Sequence, residues 1–234
     1  DLQGFLEDHG HEYSHCVMNQ SFYGDLFPML SKFGIKVAVI HHNYEVRYQL
    51  DNKLPATLYG LTPYFIKRNE RMAISQAALN LYLTQSDYQT LNDVYAQGHR
   101  GNHEVIGVYE PAETQRVEIA SSPIPTDVIA ICGSLNNKQT ELSVMDVFNR
   151  YYQIISDVFN HHFKLIITGR NPGDVIKSAA DAHQHVSLIP NPEHISDVLC
   201  KAGIFLCPVN CGSGLKLRIM DGMRLGLPIL THQV

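Results

Sequence analysis

The sequence predicts an α/β chain built as a pair of Rossmann-like domains. Three observations predict it. Short apolar runs alternate with amphipathic stretches of helical period from residue 127 onward, a looser alternation fills residues 21–109, and YEPAETQRVEIASSPIPT at 109–126, with its three prolines, lies between them. Continuous apolar runs are the mark of strands buried on both faces, and helices between them impose parallel crossovers. The expected domains are 1–120 and 121–234.

In order along the chain, DLQGFLEDHGHEYSH reads as irregular; it lacks both an initiating Met and the basic-then-apolar pattern of a leader. SFYGDLFPMLSKFG (21–34) reads as helical despite Pro28, and IKVAVIHH (35–42) as a buried strand. PYFIKRNERMAISQAA (63–78) is a helix, LNLYLT (79–84) a strand, SDYQTLNDVYAQG (86–98) a helix capped by Ser86, and HEVIGVY (103–109) a strand. Three strands are thus legible in the first domain.

The second domain is more regular. DVIAICG (127–133) is an apolar run closed by glycine. A helix over 141–161 carries Leu142, Met145, Phe148, Tyr152, Ile155 and Phe159 at three- and four-residue intervals. FKLIITG (163–169) repeats the strand-to-glycine pattern, and NPGDVIKSAADAHQ (171–184) supplies a helix with Pro172 near its first turn. The strand HVSLIP (185–190), the short helix PEHISDVLCKAG (192–203), the strand IFLCP (204–208), a helix from about Gly214 to Leu225 and the strand LPILTH (227–232) follow. The chain lacks an initiating Met and ends directly after its richest motif, so both domains are expected to be truncated.

Composition narrows the function. With 44% hydrophobic and 18% charged residues and a formal net charge of -5, the totals are those of a globular protein and favour no nucleic-acid partner. Five cysteines, an odd number in a chain of this size, argue for a reducing, cytoplasmic setting and core thiols. No run reaches the roughly 20 apolar residues needed to span a bilayer; the balance remains compatible with peripheral contact at the inner face of a membrane. Neither the CPVNC pair nor His9, His11 and His15 completes a metal-ligand set, so no metal site and no cofactor are expected.

The richest segment is CGSGLKLRIMDGMRLGLPIL (211–230). Gly212, Ser213 and Gly214 can bring backbone amides up to an anion while opening a helix. Lys216 and Arg218 set two cations in the first turns, against the preference of the helix dipole for acids there, which suits a multiply charged anion at that end. Asp221 can accept hydrogen bonds from sugar hydroxyls. The bland alternative is a solvated Lys216 and an Arg218 that pairs with Asp221 three positions on.

GSGLKLRIMDGMRLGLPILT resembles the donor-binding signature of family 4 glycosyltransferases with the GT-B fold, in its Gly-x-Gly-basic bacterial form. The resemblance implies a metal-independent, retaining transfer of a sugar from a UDP-, GDP- or ADP-type donor to a glycan, lipid-linked or small-molecule acceptor. It places Gly214 at the helix opening, Lys216 and Arg218 at the diphosphate, and Asp221 at the second acid of a Glu-x7-Glu pattern. Ser213 stands where the first acid is usual, and Asp221 is shorter than the usual Glu. ICGSLNNKQTELSV resembles the opening donor-domain segment, so Gly133, Ser134 and Lys138 are candidates at the phosphates. IITGRNPGD brings Gly169 and Arg170 to a strand end where open sheets collect ligands. IPNPEHISDVLCKAGIFLCP resembles the base-facing segment, without individual contacts being assigned.

In the first, acceptor-side domain, VAVIHHNYEVRYQ resembles the family's HN-x-E strand end. It makes His42 a candidate for contact with the sugar or acceptor and Glu45 an orienting group. His41 is expected on the opposite sheet face, and Arg68 and Glu70 as surface or interdomain ion pairs. Two further readings stay open: a nucleotide-sugar 2-epimerase on the same fold, or a binding protein that has lost catalysis.

Overall fold

The computed structural model describes residues 1–51, 61–95, 102–108, 126–209 and 217–232. The segment 109–125 and the motif residues Ser213, Gly214 and Lys216 lie outside the described residues. Contacts divide the chain into two compact units, one holding the first four strands and the other the last five. Each is Rossmann-like: a parallel sheet with helices in its connections.

The first unit begins with a helix, α1 (Leu2–His9), capped by Asp1, whose carboxylate accepts from the Gly4 amide at 2.7 Å. The opening segment is therefore not irregular; the cap and the buried Leu6 supply what its weak hydrophobic pattern does not. An unforeseen strand follows, β1 (His15–Met18), which buries only Met18 along its length. Four residues of mixed polarity on a sheet edge carry too little periodicity to be read. A 3-10 turn, Ser21–Leu26, leads into α2 (Phe27–Lys32), where Pro28 occupies the first turn. Next come β2 (Lys36–His41), α3 (Glu45–Asp51), α4 (Thr62–Gln76), β3 (Leu79–Tyr82), α5 (Gln85–Tyr95) and β4 (Asn102–Val105). The cap of α5 is Thr84, not Ser86: Thr84 Oγ1 accepts from the Asp87 amide at 3.0 Å and donates to the Asp87 carboxylate at 2.6 Å.

The strand order is β1-β2-β3-β4, every pair parallel. Val37 and Val39 of β2 join Leu6, Phe27, Leu30 and Ala73 in one core, while Ile74, Tyr82, Leu91 and Tyr95 form another. The 3-10 turn lies against α4 backbone to backbone: a Cβ on Gly24 would fall 1.9 Å from the Asn69 carbonyl oxygen.

The second unit runs β5 (Val128–Ser134), α6 (Lys138–Asp146), a π-helical turn (Val147–Tyr151), α7 (Tyr152–Val158), β6 (Lys164–Arg170), α8 (Asp174–Asp181), β7 (Val186–Pro190), α9 (Ser196–Leu199), β8 (Ile204–Cys207), α10 (Leu217–Arg224) and β9 (Ile229–Thr231). The order β7-β6-β5-β8-β9, all parallel, reverses direction between β5 and β8. Ligands of open α/β sheets collect beyond the carboxyl ends of the strands at such a reversal.

Alternate residues of β5 serve opposite faces: Ala130 and Cys132 pack with Phe205 and Leu199, Ile129 and Ile131 with Leu165 and Val144. The π turn explains why the stripe expected over 141–161 fails at its start. Its wider turn rotates the face presented to the core, so α6 buries Val144 while Leu142 is exposed, and Phe148, Tyr152, Ile155 and Phe159 pack as expected. Pro172 stands directly before Gly173, the cap of α8, and so lies near the first turn as expected. Among the described residues no helix is long and apolar enough to cross a membrane.

Candidate functional site

In the first unit, β2 ends at His41, which is fully buried, stacks on Tyr82 with ring centroids 4.8 Å apart, and places Nε2 2.9 Å from Asn80 Oδ1. The next residue, His42, leaves the sheet and sets Nε2 2.9 Å from Oδ1 of Asn19, just after β1. Glu45 opens α3 with its carboxyl buried, and the Asn43 side chain hydrogen-bonds to it. Burial, and then the charge of Glu70, raise the Glu45 pKa to about 7.

Glu70 is the residue sequence reasoning placed wrongly. It is fully buried in α4, not on a surface: it accepts from Ser21 Oγ at 3.1 Å, the Glu45 amide at 3.0 Å and the Tyr95 hydroxyl at 2.7 Å. Burial raises its pKa, and those three donors oppose the shift. Its setting in KRNER, four charged residues in five, reads as a solvated face; helical spacing that puts Glu70 in phase with Ala73, Ile74 and Ala77 was the available contrary signal.

In the second unit, the carboxyl end of β5 passes through Gly133 and the exposed Ser134 into α6, whose cap Asn137 accepts from the Gln139 amide at 2.8 Å. Arg218, in the first turn of the described part of α10, crosses to this edge. Its Nη2 donates to Thr140 Oγ1 at 3.2 Å, and its Nη1 lies 2.9 Å from where a Cβ on Gly133 would sit. The bare backbone of Gly133 thus lets the guanidinium lie over the strand end. Burial pushes the neighbouring Cys132 thiol up to about 12; the Asp221 carboxylate acts in the same sense and Arg218 against it, so both charges act at this strand end. Lys138 is paired with Glu141 one turn into α6.

Gly169 of β6 stands in register with Gly133. With φ of 149° and a hypothetical Cβ only 1.8 Å from the Gly133 carbonyl oxygen, it admits no side chain. Beside it a cavity of about 370 Å3 opens, lined by Arg170, Glu193, His194, Ser196, Asp221 and Arg224 among others. That size suits a nucleoside or sugar. Asp221 follows Arg218 by three residues on α10, so one helix contributes a cation over the β5 edge and an acid to the cavity wall.

A family model for Glycosyl transferases group 1 matches residues 126–234. It covers the second unit, and every predicted donor-side residue falls inside it. No curated protein matches the chain. Similar solved structures include the pneumococcal O-GlcNAc transferase GtfA in complex with UDP and GlcNAc, 12% identical with a TM-score of 0.65 over 100% of this chain and 44% of that one. HepE from Anabaena in complex with UDP and glucose is 12% identical, with a TM-score of 0.65 over 98% of this chain and 62% of its own. Sucrose-phosphate synthase from Thermosynechococcus elongatus is 12% identical, with a TM-score of 0.65, over 98% and 58%. The two Rossmann-like units are those of the GT-B fold. The chain spans 44% to 62% of the length of these relatives.

Within the second unit the fold brings Gly133, Arg218 and Asp221 to one strand end and Gly169 and Arg170 to its neighbour, while Ser213, Gly214 and Lys216 lie outside the described residues. Thr140, Glu193 and His194 were not singled out in the sequence, since none belongs to a spaced motif. Among the described residues no group of three His, Cys, Asp or Glu side chains is placed to hold a metal ion.

Glu45 sets a measurable pH dependence. Its pKa is about 7 in the fold and roughly 4.3 when unfolded, so the native chain binds the extra proton between those values. Stability from this group is therefore full below the unfolded value and lost as pH rises through about 7. Glu45→Gln stays neutral throughout and is expected to be more stable than wild type at pH 8 by on the order of 2 kcal/mol, with the difference shrinking toward pH 4. Paired denaturant titrations at the two pH values check this; equal shifts at both would contradict it.

Proposed function

We propose that this chain belongs to a metal-independent, retaining glycosyltransferase of the family 4 type, which takes a sugar from a nucleoside diphosphate donor. The observation that carries the reading is the Arg218 guanidinium lying over Gly133 at the carboxyl end of β5, at the sheet's reversal, with Asp221 of the same helix lining a cavity beside it. A fixed cation and bare backbone at such a place suit the charge that develops on a departing diphosphate. Arg218, and Lys216 from its place in the motif, hold and stabilise that diphosphate, with the amides of Ser213 and Gly214 at its edge. Gly133, Ser134 and Lys138 border the phosphates, Gly169 and Arg170 the neighbouring strand end. Asp221 accepts from ribose or sugar hydroxyls.

His42 meets the transferred sugar or the acceptor in the domain formed by residues 1–120, and Glu45 orients the turn that bears it. The donor domain is 121–234. UDP ranks ahead of GDP and ADP because two of the relatives above hold UDP. The acceptor is a glycan or a lipid-linked sugar, and the protein works in the cytoplasm, at the inner membrane face where the acceptor is lipid-linked.

Calorimetry with UDP, GDP, ADP and their sugar conjugates, followed by assay of free nucleotide with and without acceptors, tests the proposal. The expected result is tight binding of one nucleotide and its release only when acceptor is supplied. Release without acceptor and with isomerised sugar would replace the transferase by an epimerase. Binding without turnover across an acceptor panel would replace it by a binding protein.

A further inference from the structure

Among the described residues of the first unit, a buried polar cluster centres on two carboxyls. Glu70 is fully buried and Glu45 is 2% exposed. Two carboxyls withdrawn from water are unfavourable unless donors compensate, and apolar side chains of similar size would join the same helices at less cost. What carboxylate chemistry adds is direction. One Glu70 oxygen accepts from Ser21, in the 3-10 turn, and from the backbone amide of Glu45, the first residue of α3; the other accepts from Tyr95, the last residue of α5. Tyr95 is held protonated, its pKa raised by burial and by the Glu70 charge.

The turn between β2 and α3 is consequently pinned at both ends. Asn19 meets the His42 ring at one end, and Glu70 receives the Glu45 amide at the other. Between them Asn43 hydrogen-bonds to the Glu45 side chain, whose Oε1 is buried with no hydrogen-bond partner among the described residues. The Glu45 side chain thus holds the turn through its bond with Asn43, and the bond from its amide to Glu70 adds a second, backbone hold.

We infer that Glu70 is a positioning residue, whose buried carboxylate fixes the start of α3 and thereby the turn that presents His42. This rests on the reading of His42 as a sugar- or acceptor-side group, and deepens it.

The test uses the full chain labelled with 15N-histidine, with the His42 ring signals assigned through His42→Gln. Glu70→Gln keeps size but replaces an acceptor oxygen by a donor, so the His42 signals are expected to shift or broaden while those of His183 and His185, in the other unit, stay in place. Tyr95→Phe, which deletes one hydroxyl, should move His42 in the same direction by less, and serves if Glu70→Gln does not fold. In transfer assays Glu70→Gln should lower kcat about 10- to 100-fold with donor KM changed by less than about twofold, since the donor groups lie in the second unit. Unmoved His42 signals in a folded Glu70→Gln or Tyr95→Phe chain would overturn the inference, as would unchanged kcat in a wild type that transfers. If the wild type transfers nothing, the histidine spectra alone decide: shifted His42 signals then uphold the positioning by Glu70 while the transferase reading falls.

Discussion

Arg218→Met is expected to lower sugar transfer by about one hundred- to one thousand-fold in kcat, the loss typical of removing one fixed donor from a developing oxyanion. Methionine keeps an apolar stem of similar reach, so packing along α10 changes little and the thermal midpoint should stay within a few degrees. What disappears is the guanidinium over Gly133 and its bond to Thr140. Lys138 is already engaged with Glu141, so its charge compensates only in part. Arg218→Lys should fall between, because it restores charge but not the planar fork that can bond Thr140 and still present donors to a phosphate. Neutralising Lys216 as well is expected to abolish transfer with the fold intact. Steady-state kinetics beside calorimetric nucleoside diphosphate binding measures the three variants against wild type. Retained turnover with normal nucleotide affinity in the double variant would remove both residues from the diphosphate site.

Gly169→Ala should be strongly damaging to the second unit. At φ of 149° an L side chain is strained, and its Cβ would lie 1.8 Å from the carbonyl oxygen of Gly133 on the adjacent strand. Backbone strain of about 1–3 kcal/mol combines with forced displacement of packed neighbours, another 1–3 kcal/mol or so. A loss of about 3 kcal/mol or more would lower the midpoint of a unit this size by roughly 12 °C or more. The displaced group is the strand end beneath Arg218, so nucleotide binding should weaken in whatever fraction remains folded. Gly34→Ala is the control: its φ is also positive, at 68°, but its Cβ would meet nothing within 4 Å. It should cost only about 1 kcal/mol. Thermal denaturation of the two variants side by side separates conformation from collision, and equal losses would contradict the close approach of β5 and β6.

Particular residues show how far the sequence could be read. The apolar runs of β5 and β6 are legible because burial on both faces leaves no polar interruption, and both end on the glycines that the sheet brings into register. Arg218 was singled out because cations after a glycine-rich stretch contradict the ordinary charge preference of a helix start, and the structure brings its guanidinium to Gly133 and Thr140. β1 was not, since three of its four residues are not fully buried and its edge position imposes little pattern. The phase of the long helix was missed because a π turn changes its period without any local marker.

By itself, then, the sequence determined two α/β units and, in the second, the succession of strands and helices. Each depends on chemistry within a few residues: side-chain period, turn formers, caps. Only the tertiary structure decided that Arg218 meets Thr140, 78 positions away, that Gly169 faces Gly133, and that Glu70 is buried among Ser21, Glu45 and Tyr95. Those facts depend on which distant groups converge, and the environment of a charge or a bare backbone is set by its neighbours in space, which local sequence does not specify.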